Sequence, residues 1–153
     1  MDDLINLADR LDKLESAFQH NIRVGEVVQT NPEKGTVRVK FADADDFVTS
    51  EIPVLQRNTL KNKSYSLPDV GEQVVCNFMG HGQENGFVMG CIFSKPDACP
   101  VNSQDKQHMA FSDGTTIEYD RAAKTLNIDC VGEITIRAAG QVTIIGNPIH
   151  LNP

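Results

Sequence analysis

The stretch that decides the fold is residues 124–153, which read KTLNIDCV, GEITIRAA, GQVTIIGN and PIHLNP when divided into groups of eight. From residue 126 to residue 146, the even positions within the expected strands hold apolar or small residues, namely Leu126, Ile128, Cys130, Ile134, Ile136, Ala138, Val142, Ile144 and Gly146. The odd positions within these strands are polar at Thr125, Asn127, Asp129, Glu133, Thr135, Arg137, Gln141 and Thr143, and Ile145 is the exception among them. Gly132 and Gly140 stand eight residues apart, where the chain is expected to turn corners. This alternation is typical of β-strands with one buried face.

A repeat this short predicts strands that cannot bury their own apolar face. A Leu, Ile or Val side chain contributes about 1.5–3 kcal/mol when it is fully buried, and this is lost if it faces water. No other segment offers an apolar face of this length, so the simplest cover is the same stretch from other copies of the chain. The pattern therefore predicts an oligomeric β-prism or β-helix, most simply a trimer. The alternative is an edge hairpin of a monomeric β-domain.

Composition restricts the classes of function. The 153 residues leave room for one domain of ordinary size and an appendage. Lys and Arg number 14 against 21 Asp and Glu, which gives a net charge of −7, and only 6% of residues are aromatic. Nucleic-acid binding needs a basic face and aromatic stacking platforms, so this acidic chain is a poor candidate for it.

The cysteines and the N-terminus indicate where the protein is made. Cys76, Cys91, Cys99 and Cys130 show no C-x-x-C spacing, so they are expected to be reduced thiols, with zinc binding or a disulfide as the alternative. Asp2 and Asp3 follow the first methionine, and no apolar run approaches the length of a membrane span. We expect no signal peptide, and synthesis and folding in a cytoplasm.

Residues 2–19 are predicted to form a helix with a narrow apolar seam. The seam consists of Leu4, Leu7, Leu11, Leu14 and Phe18, at alternating spacings of three and four residues. It is too short for a self-sufficient coiled coil. We expect it to dock on sister chains, on a partner protein or on its own domain.

Residues 21–93 show the alternation of five short strands. The expected strands are 21–30 and 36–41 around the turn NPEKG, 47–54 ending at Pro53, and 70–79 with 86–93. Residues 56–70 read as a polar loop. Five short strands with one long connection predict a small barrel of the OB type.

The remaining residues complete the predicted architecture. Residues 94–108 read as a linker, and 109–120 with KTLNID read as a hairpin that turns at Arg121–Ala123. Ile117 and Tyr119 lie on odd positions, so the apolar face changes parity before the octads begin. The sequence thus predicts an all-β protein with an N-terminal helix (1–20), an OB-fold barrel (21–93), a linker (94–108), and a C-terminal trimeric, triple-stranded β-helix needle with octads and a tip (109–153).

No catalytic constellation is visible, so no enzyme is expected. His81 and Glu84 lie in the Gly-rich turn GHGQEN and read as a solvated turn, while His20 and His108 have no partner in sequence. The acidic residues 42–46 lack the glycine and terminal glutamate of a calcium loop. Nucleophile elbows, phosphate loops and H-E-x-x-H motifs are absent from the sequence.

His150 is a candidate metal ligand. The parity of the octads places His150 and Asn152 on the inward face with Ile144, although Gly146 and Pro148 intervene. Three copies of His150 would then meet on a threefold axis at the tip, and imidazole is a ligand for zinc and iron. The alternative is that His150 caps the prism in water. The α-carbon of Asn152 lies roughly 6.6 Å further along a strand, so a contribution from its side chain to the same ion is the less direct possibility.

Three segments resemble the baseplate spike family of contractile-tailed phages, the baseplate assembly protein V family. They are IRVGEVVQTNPEKGTVRVKF (22–41), DVGEQVVCNFMGHGQENGFVMGCIF (69–93) and MAFSDGTTIEYDRAAKTLNID (109–129). The resemblance implies a homotrimer with an OB-fold collar and a β-helical needle, mounted under the tail hub, and relatives in R-type tailocins and type VI secretion spikes. It implies a mechanical role, in which sheath contraction drives the needle through the target envelope.

The resemblance further implies contacts with the hub, with other baseplate or tape-measure components as further candidate partners. It also implies a place in the virion tail baseplate, a tailocin or a secretion spike. Several relatives bind iron near the tip through two histidines separated by one residue, whereas this chain has His150-Leu151-Asn152. An iron or zinc ion, one per trimer, is therefore expected on His150. The needle also reads as short, without an inserted lysozyme domain.

Two other functions fit parts of the pattern. An OB fold could bind single-stranded nucleic acid, which the net charge of −7 disfavours. A trimeric β-helix could bind or hydrolyse polysaccharide, and Asp129 and Glu133 are the needle carboxylates that could serve it.

Overall fold

The computed structural model describes residues 2–19, 21–43, 45–79 and 85–151, with the side chains of the N-terminal helix described over residues 4–15. The chain divides into two compact units, Met1–Ala98 and Cys99–Pro153. The elements of the first unit are α1 (Asp2–Gln19), β1 (Ile22–Asn31), β2 (Thr36–Phe41), β3 (Phe47–Val48), β4 (Ile52–Pro53), β5 (Gln73–Phe78) and β6 (Gly86–Cys91). Those of the second are β7 (Lys106–Ala110), β8 (Thr116–Asp120) and β9 (Thr125–Asp129). The helix of the described residues is not long and apolar enough to cross a membrane.

The strands of the first unit form a sheet that closes on itself. The order is β3-β2-β1-β5-β6, with β4 paired to the other end of β2. The chain after β4 then reaches β6, where Val54 bridges Val88 and the Leu55 N–H donates to the Val88 carbonyl at 2.9 Å. This closure confirms the predicted OB-like domain and leaves few open sheet edges.

Alternation along the strands fills the barrel. The buried apolar side chains are Val27, Val37, Val39, Phe41, Ile52, Val74, Cys76, Phe78 and Val88. Phe41 and Phe78 pack edge to face with ring centroids 5.7 Å apart. Gly25 faces this core, where an added Cβ would lie 2.7 Å from the Lys40 carbonyl oxygen, so only glycine lets β1 and β2 approach this closely.

The structure corrects two predictions in the barrel. Residues 47–54 are not one strand, because residues 49–51 separate β3 from β4, whereas β4 does end at Pro53, as predicted. Thr49 explains the break: its side chain is buried and its hydroxyl accepts from the Val39 N–H at 3.0 Å, which replaces ladder pairing. The last two strands are also shorter than predicted, at Gln73–Phe78 and Gly86–Cys91.

Much of the predicted polar loop 56–70 is an ordered arm, which we define as residues 56–66. Gln56 exchanges two hydrogen bonds with the backbone of Ser66, at 2.8 and 3.1 Å. The Ser64 N–H donates to the Asn58 carbonyl at 3.0 Å, and Thr59 bridges Lys63 in antiparallel fashion. The Tyr65 hydroxyl donates to the Pro32 carbonyl at 3.3 Å and ties the arm to the β1–β2 turn.

The second unit contains a three-stranded antiparallel meander, β7-β8-β9. The predicted turn at 121–123 is present, but residues 109–120 are not one arm of a hairpin. Asp113 accepts from both the N–H and the hydroxyl of Thr115, at 2.9 and 3.0 Å, and Gly114 adopts φ 91°, so the chain reverses between β7 and β8. The end of the predicted linker, residues 106–108, accordingly lies in β7.

Residues 132–151 form no strands in the single chain. The chain bends at 131–132, 139–140 and 147–148, eight residues apart, and runs between these bends without secondary structure. The bends coincide with the corners expected at Gly132 and Gly140. The needle itself, which needs more than one chain, stays a prediction.

Candidate assembly surfaces

The seam of α1 is uncovered. Leu4, Leu7, Leu11 and Leu14 are exposed by 71, 54, 52 and 67%. Leucines aligned on one helix face normally pack against something. Three partners were expected for the seam, and one of them was its own domain. The described side chains of α1 do not show packing on that domain.

The meander has one apolar face. Ile117 is opposite Ile128, and Tyr119 is opposite Leu126, so residues of odd number on β8 share a face with residues of even number on β9. Met109 joins them from β7, opposite Ile117. The parity change noted in the sequence is therefore the result of the hairpin register, and the apolar face continues without interruption. All five side chains are at least 37% exposed in the single chain.

The opposite face of the meander carries a compact ionic network. The Lys106 Nζ donates to Glu118 Oε1 at 2.8 Å, and His108 Nδ1 lies 2.9 Å from Glu118 Oε2. The side chains of His108 and Glu118 are only 14% and 18% exposed. The hydrogen bond from Lys106, and then that with His108, hold the pKa of Glu118 below its usual 4.5, while Glu118 raises the pKa of Lys106.

This network was missed in the sequence, where His108 has no neighbouring partner. The signal that could have revealed it is Asp113–Gly114, a strong turn pair that places residues 108 and 118 opposite each other. The network makes the two faces of the meander chemically opposite, one ionic and one apolar.

The octads extend the exposed apolar surface beyond β9. Their most exposed apolar side chains are Val131, Ile134, Ile136, Val142, Ile144, Ile145 and Leu151, each more than half exposed. Within the described residues, the backbone groups of 132–151 form no hydrogen bonds with one another. Uncovered apolar side chains and unpaired backbone in the same segment are typical of a surface that is left incomplete in the single chain.

The candidate tip residues are only partly described. His150 lies in this segment and is exposed, whereas Asn152 lies outside the described residues. Over residues 2–19, 21–43, 45–79 and 85–151, one chain brings together no group of three His, Cys, Asp or Glu side chains able to hold a metal. A site built from one histidine of each of three chains is a different arrangement, and it stays a prediction.

The other candidate residues do not converge. His20, His81 and Glu84 lie outside the described part of the chain. Asp129 ends β9 opposite Thr116, and Glu133 follows the first bend with Thr135 as its hydrogen-bond partner at 3.3 Å. The structure thus shows no interaction between Asp129 and Glu133.

A buried cation lies inside the barrel, where sequence alternation predicts an apolar side chain. Arg23 stands over the Phe41 ring, 4.2 Å from its centroid, and its Nη2 donates to Asp43 at 2.6 Å. The side chain of Arg23 is 4% exposed and that of Asp43 is 70% exposed. The cation is thus held by a ring and by one carboxylate at the barrel surface.

Comparison with known proteins identifies the class. Residues 23–93 match the family model described as the type VI secretion system/phage-baseplate injector OB domain. They begin with β1 and end just after β6, which is the closed barrel described above. The closed barrel thus matches this family of injector OB domains.

A curated relative makes the assignment more specific. The chain is 28% identical over 139 residues to the protein named "Spike protein" of Escherichia phage P2. The match covers 91% of this chain and 64% of the relative, so the chain spans less than two thirds of the relative's length. Both findings support a baseplate spike family, as the resemblance in the sequence implied.

Proposed function

We propose that the chain forms a homotrimer whose C-terminal stretch, residues 109–153, is a triple-stranded β-helical needle, and that this trimer is the membrane-piercing spike at the centre of a contractile-tail baseplate. The observation that carries the proposal is the surface of residues 109–151. It has an uncovered apolar side, no internal backbone pairing beyond β9, and bends at every eighth residue.

Three chains wound around one axis would satisfy this surface. Each segment between two bends would pair its backbone with segments of the other two chains, and the inward side chains would form a shared core. The burial of each Leu, Ile or Val would contribute about 1.5–3 kcal/mol. A closed arrangement leaves no open sheet edge, which suits a rod that must withstand force.

The remaining surfaces fit the same role. The uncovered leucine seam of α1 offers a docking site for the tail hub or another baseplate or tape-measure component. The ionic face of the meander, with Lys106, His108 and Glu118, is suited to face water while the apolar face turns to the axis. After synthesis in the host cytoplasm, the trimer is incorporated in the tail and sheath contraction drives its tip into the target envelope.

The mass of the intact protein in solution tests the trimer. Light scattering on the full chain should give the mass of three 16.8 kDa chains, and dilution should not dissociate them. A monomeric mass at micromolar concentration would reject the needle, because residues 132–151 would then have no partner.

We also propose that His150 binds an iron or zinc ion at the tip, one per trimer, with Asn152 as a second candidate ligand. His150 is exposed and near the C-terminus, and an imidazole from each chain is a suitable donor set for either metal. The metal would tie together three chain ends that otherwise fray.

Elemental analysis of the trimer, purified without chelator, tests the tip. We expect about one metal atom per trimer, with His150→Ala removing it while the mass of the trimer is unchanged, since the octads above the tip carry the apolar burial. Metal that persists in His150→Ala, or a wild-type trimer that contains none, would leave His150 without this role.

A further inference from the structure

The arm of the OB domain carries a charge opposite to that of the rest of the chain. Arg57, Lys61 and Lys63 are the only charged residues between Glu51 and Asp69. The remaining chain holds 11 of the 14 Lys and Arg against all 21 Asp and Glu, a net charge of −10. Leu60, within the tip of the arm, is 81% exposed. The arm therefore combines an exposed apolar side chain with three cationic residues and no acidic ones.

A groove of the opposite character lies beside the base of the arm. Two adjoining cavities of about 450 and 510 Å³ share Asp69, Glu72 and Cys91. The second cavity adds Asp97 and an apolar wall of Val70, Ile92 and Phe93. We call these residues the groove. Val70 and Phe93 are 62% and 67% exposed, so the apolar wall is open in the single chain.

Two of the three carboxylates of the groove, those of Glu72 and Asp97, accept hydrogen bonds that hold them in place. The Asp69 N–H donates to Glu72 Oε2 at 2.8 Å, and the Ser94 hydroxyl donates to Asp97 Oδ2 at 3.1 Å. Burial, with the nearby Glu72, raises the pKa of the Cys91 thiol to about 11, so this thiol stays neutral near pH 7. The groove thus presents carboxylates over an apolar wall, and its first cavity is also lined by Arg57 from the arm of the same chain.

We propose that the arm of one protomer binds in the groove of the next protomer, so that three arm-in-groove contacts close a ring of OB domains. The proposal rests on the homotrimer proposed above. The two surfaces match in charge and in apolar character, and both belong to the same chain. A contact between two different surfaces of identical chains closes into a ring when the rotation between neighbours is threefold. Charge complementarity around an apolar centre also fixes the register of such a contact.

The neighbouring groove is a better partner for the arm than a polyanion such as nucleic acid or an anionic membrane. Arg57 lines the same cavity as Asp69 and Glu72, so an extended polyanion on the arm would lie against those carboxylates. A short acidic surface that engages only the cations and Leu60 avoids this repulsion, and the groove of a second copy supplies one.

Disulfide trapping between two different chains tests the contact. One tagged chain carries Leu60→Cys and a second chain carries Phe93→Cys, both with Cys91, Cys99 and Cys130 replaced by serine, and the two are co-expressed in full length. Mild oxidation should give a heterodimer on non-reducing gels. The matched control replaces Leu60→Cys by Asp46→Cys, an exposed position in the β2–β3 loop outside the arm and the groove, and should give none.

The outcomes separate this proposal from the trimer itself. A trimeric mass with no disulfide beyond the Asp46→Cys control would overturn the arm-in-groove contact and leave the needle standing. A monomeric mass would reject the proposed function directly. Binding of the trimer to anionic vesicles or to an oligonucleotide that Lys61→Glu abolishes, without any trapped heterodimer, would assign the arm to the polyanion instead.

Charge variants test the chemistry of the contact. Lys61→Glu with Lys63→Glu should slow disulfide trapping about two- to tenfold at low salt, which is the effect of losing two exposed ion pairs. Adding Asp97→Lys to the groove should restore part of the rate, and 1 M salt should reduce the differences. Trapping rates that do not change with any of these charge substitutions would contradict the proposed register.

Discussion

Glu118 stabilises the second unit through its charge, because its carboxylate interacts with both Lys106 and His108. Its lowered pKa means that the folded protein favours the charged form. The resulting stability is present above the ordinary pKa of 4.5 and is lost as the pH falls through the lower folded value. The raised pKa of Lys106 acts at the other extreme, since its contribution is present below 10.5 and is lost as the pH rises through the folded value.

We therefore predict that Glu118→Gln lowers the melting temperature of the full chain at pH 7, and that its difference from wild type shrinks as the pH falls below about 4.5. Circular dichroism melts at several pH values measure this. Glu33→Gln, at an exposed turn position, is the matched control and should change little at any pH. An equal loss at pH 3 and pH 7 would show that Glu118 acts through packing.

Arg23 and Asp43 contribute unequally to the barrel, because the cation is buried and the carboxylate is exposed. Asp43→Ala leaves a buried guanidinium without its carboxylate and should lower the free energy of unfolding by about 1.5–3 kcal/mol. Arg23→Met removes the charge and fills the same space, so we expect little loss or a gain. Urea unfolding of both variants measures their free energies of unfolding and shows which variant is less stable. Arg23→Met as the less stable of the two would show that the guanidinium makes further favourable contacts inside the barrel.

At the scale of elements, the octads allow a test of which side faces the axis. Ile136→Asp would place a carboxylate from each chain in a dry core, where an unpaired charge is strongly unfavourable. We predict that the trimer weakens or is lost, as measured by light scattering and thermal melting. The matched control is Thr135→Asp, one residue earlier on the outward face, which should keep both mass and melting temperature. A stable Ile136→Asp trimer would be incompatible with the inward position of the even residues.

The N-terminal helix is expected to serve attachment rather than trimer formation. Its seam is too short to hold three helices together alone, and its leucines are exposed. Deletion of residues 1–19 should leave the trimeric mass unchanged and abolish incorporation into tails, measured by immunoblot of purified particles. A full-length chain with Leu7→Ala and Leu11→Ala should show the same loss. Dissociation of the deletion variant into monomers would instead make the helix part of the trimer interface.

At the scale of the molecule, the sequence was informative where a repeat or an alternation is local. The OB-type barrel, the helix, the turn at 121–123 and the bends of the octads follow from such patterns. Contacts across turns were harder, because the pairing of His108 with Glu118 depends on a reversal at Asp113–Gly114 that alternation alone does not show. The arm was missed because its order comes from side chains such as Gln56, which replace ladder pairing. Arg23 occupies an inward position in the alternation of β1. Because a charged side chain is not expected to be buried, the sequence did not predict that it points into the barrel.

The unpaired backbone of residues 132–151 also sets the kinetics of folding. The barrel closes through its own Val54–Val88 bridge, so it can form in one chain at a rate independent of concentration. In the proposed needle the octads fold only with other copies, so their folding would be an encounter between chains whose rate rises steeply with concentration. Nascent chains leaving neighbouring ribosomes on one messenger would have the required proximity. Once wound, three chains can separate only by losing many contacts together, so the durability of the needle would be kinetic, with its lifetime set by a high unfolding barrier.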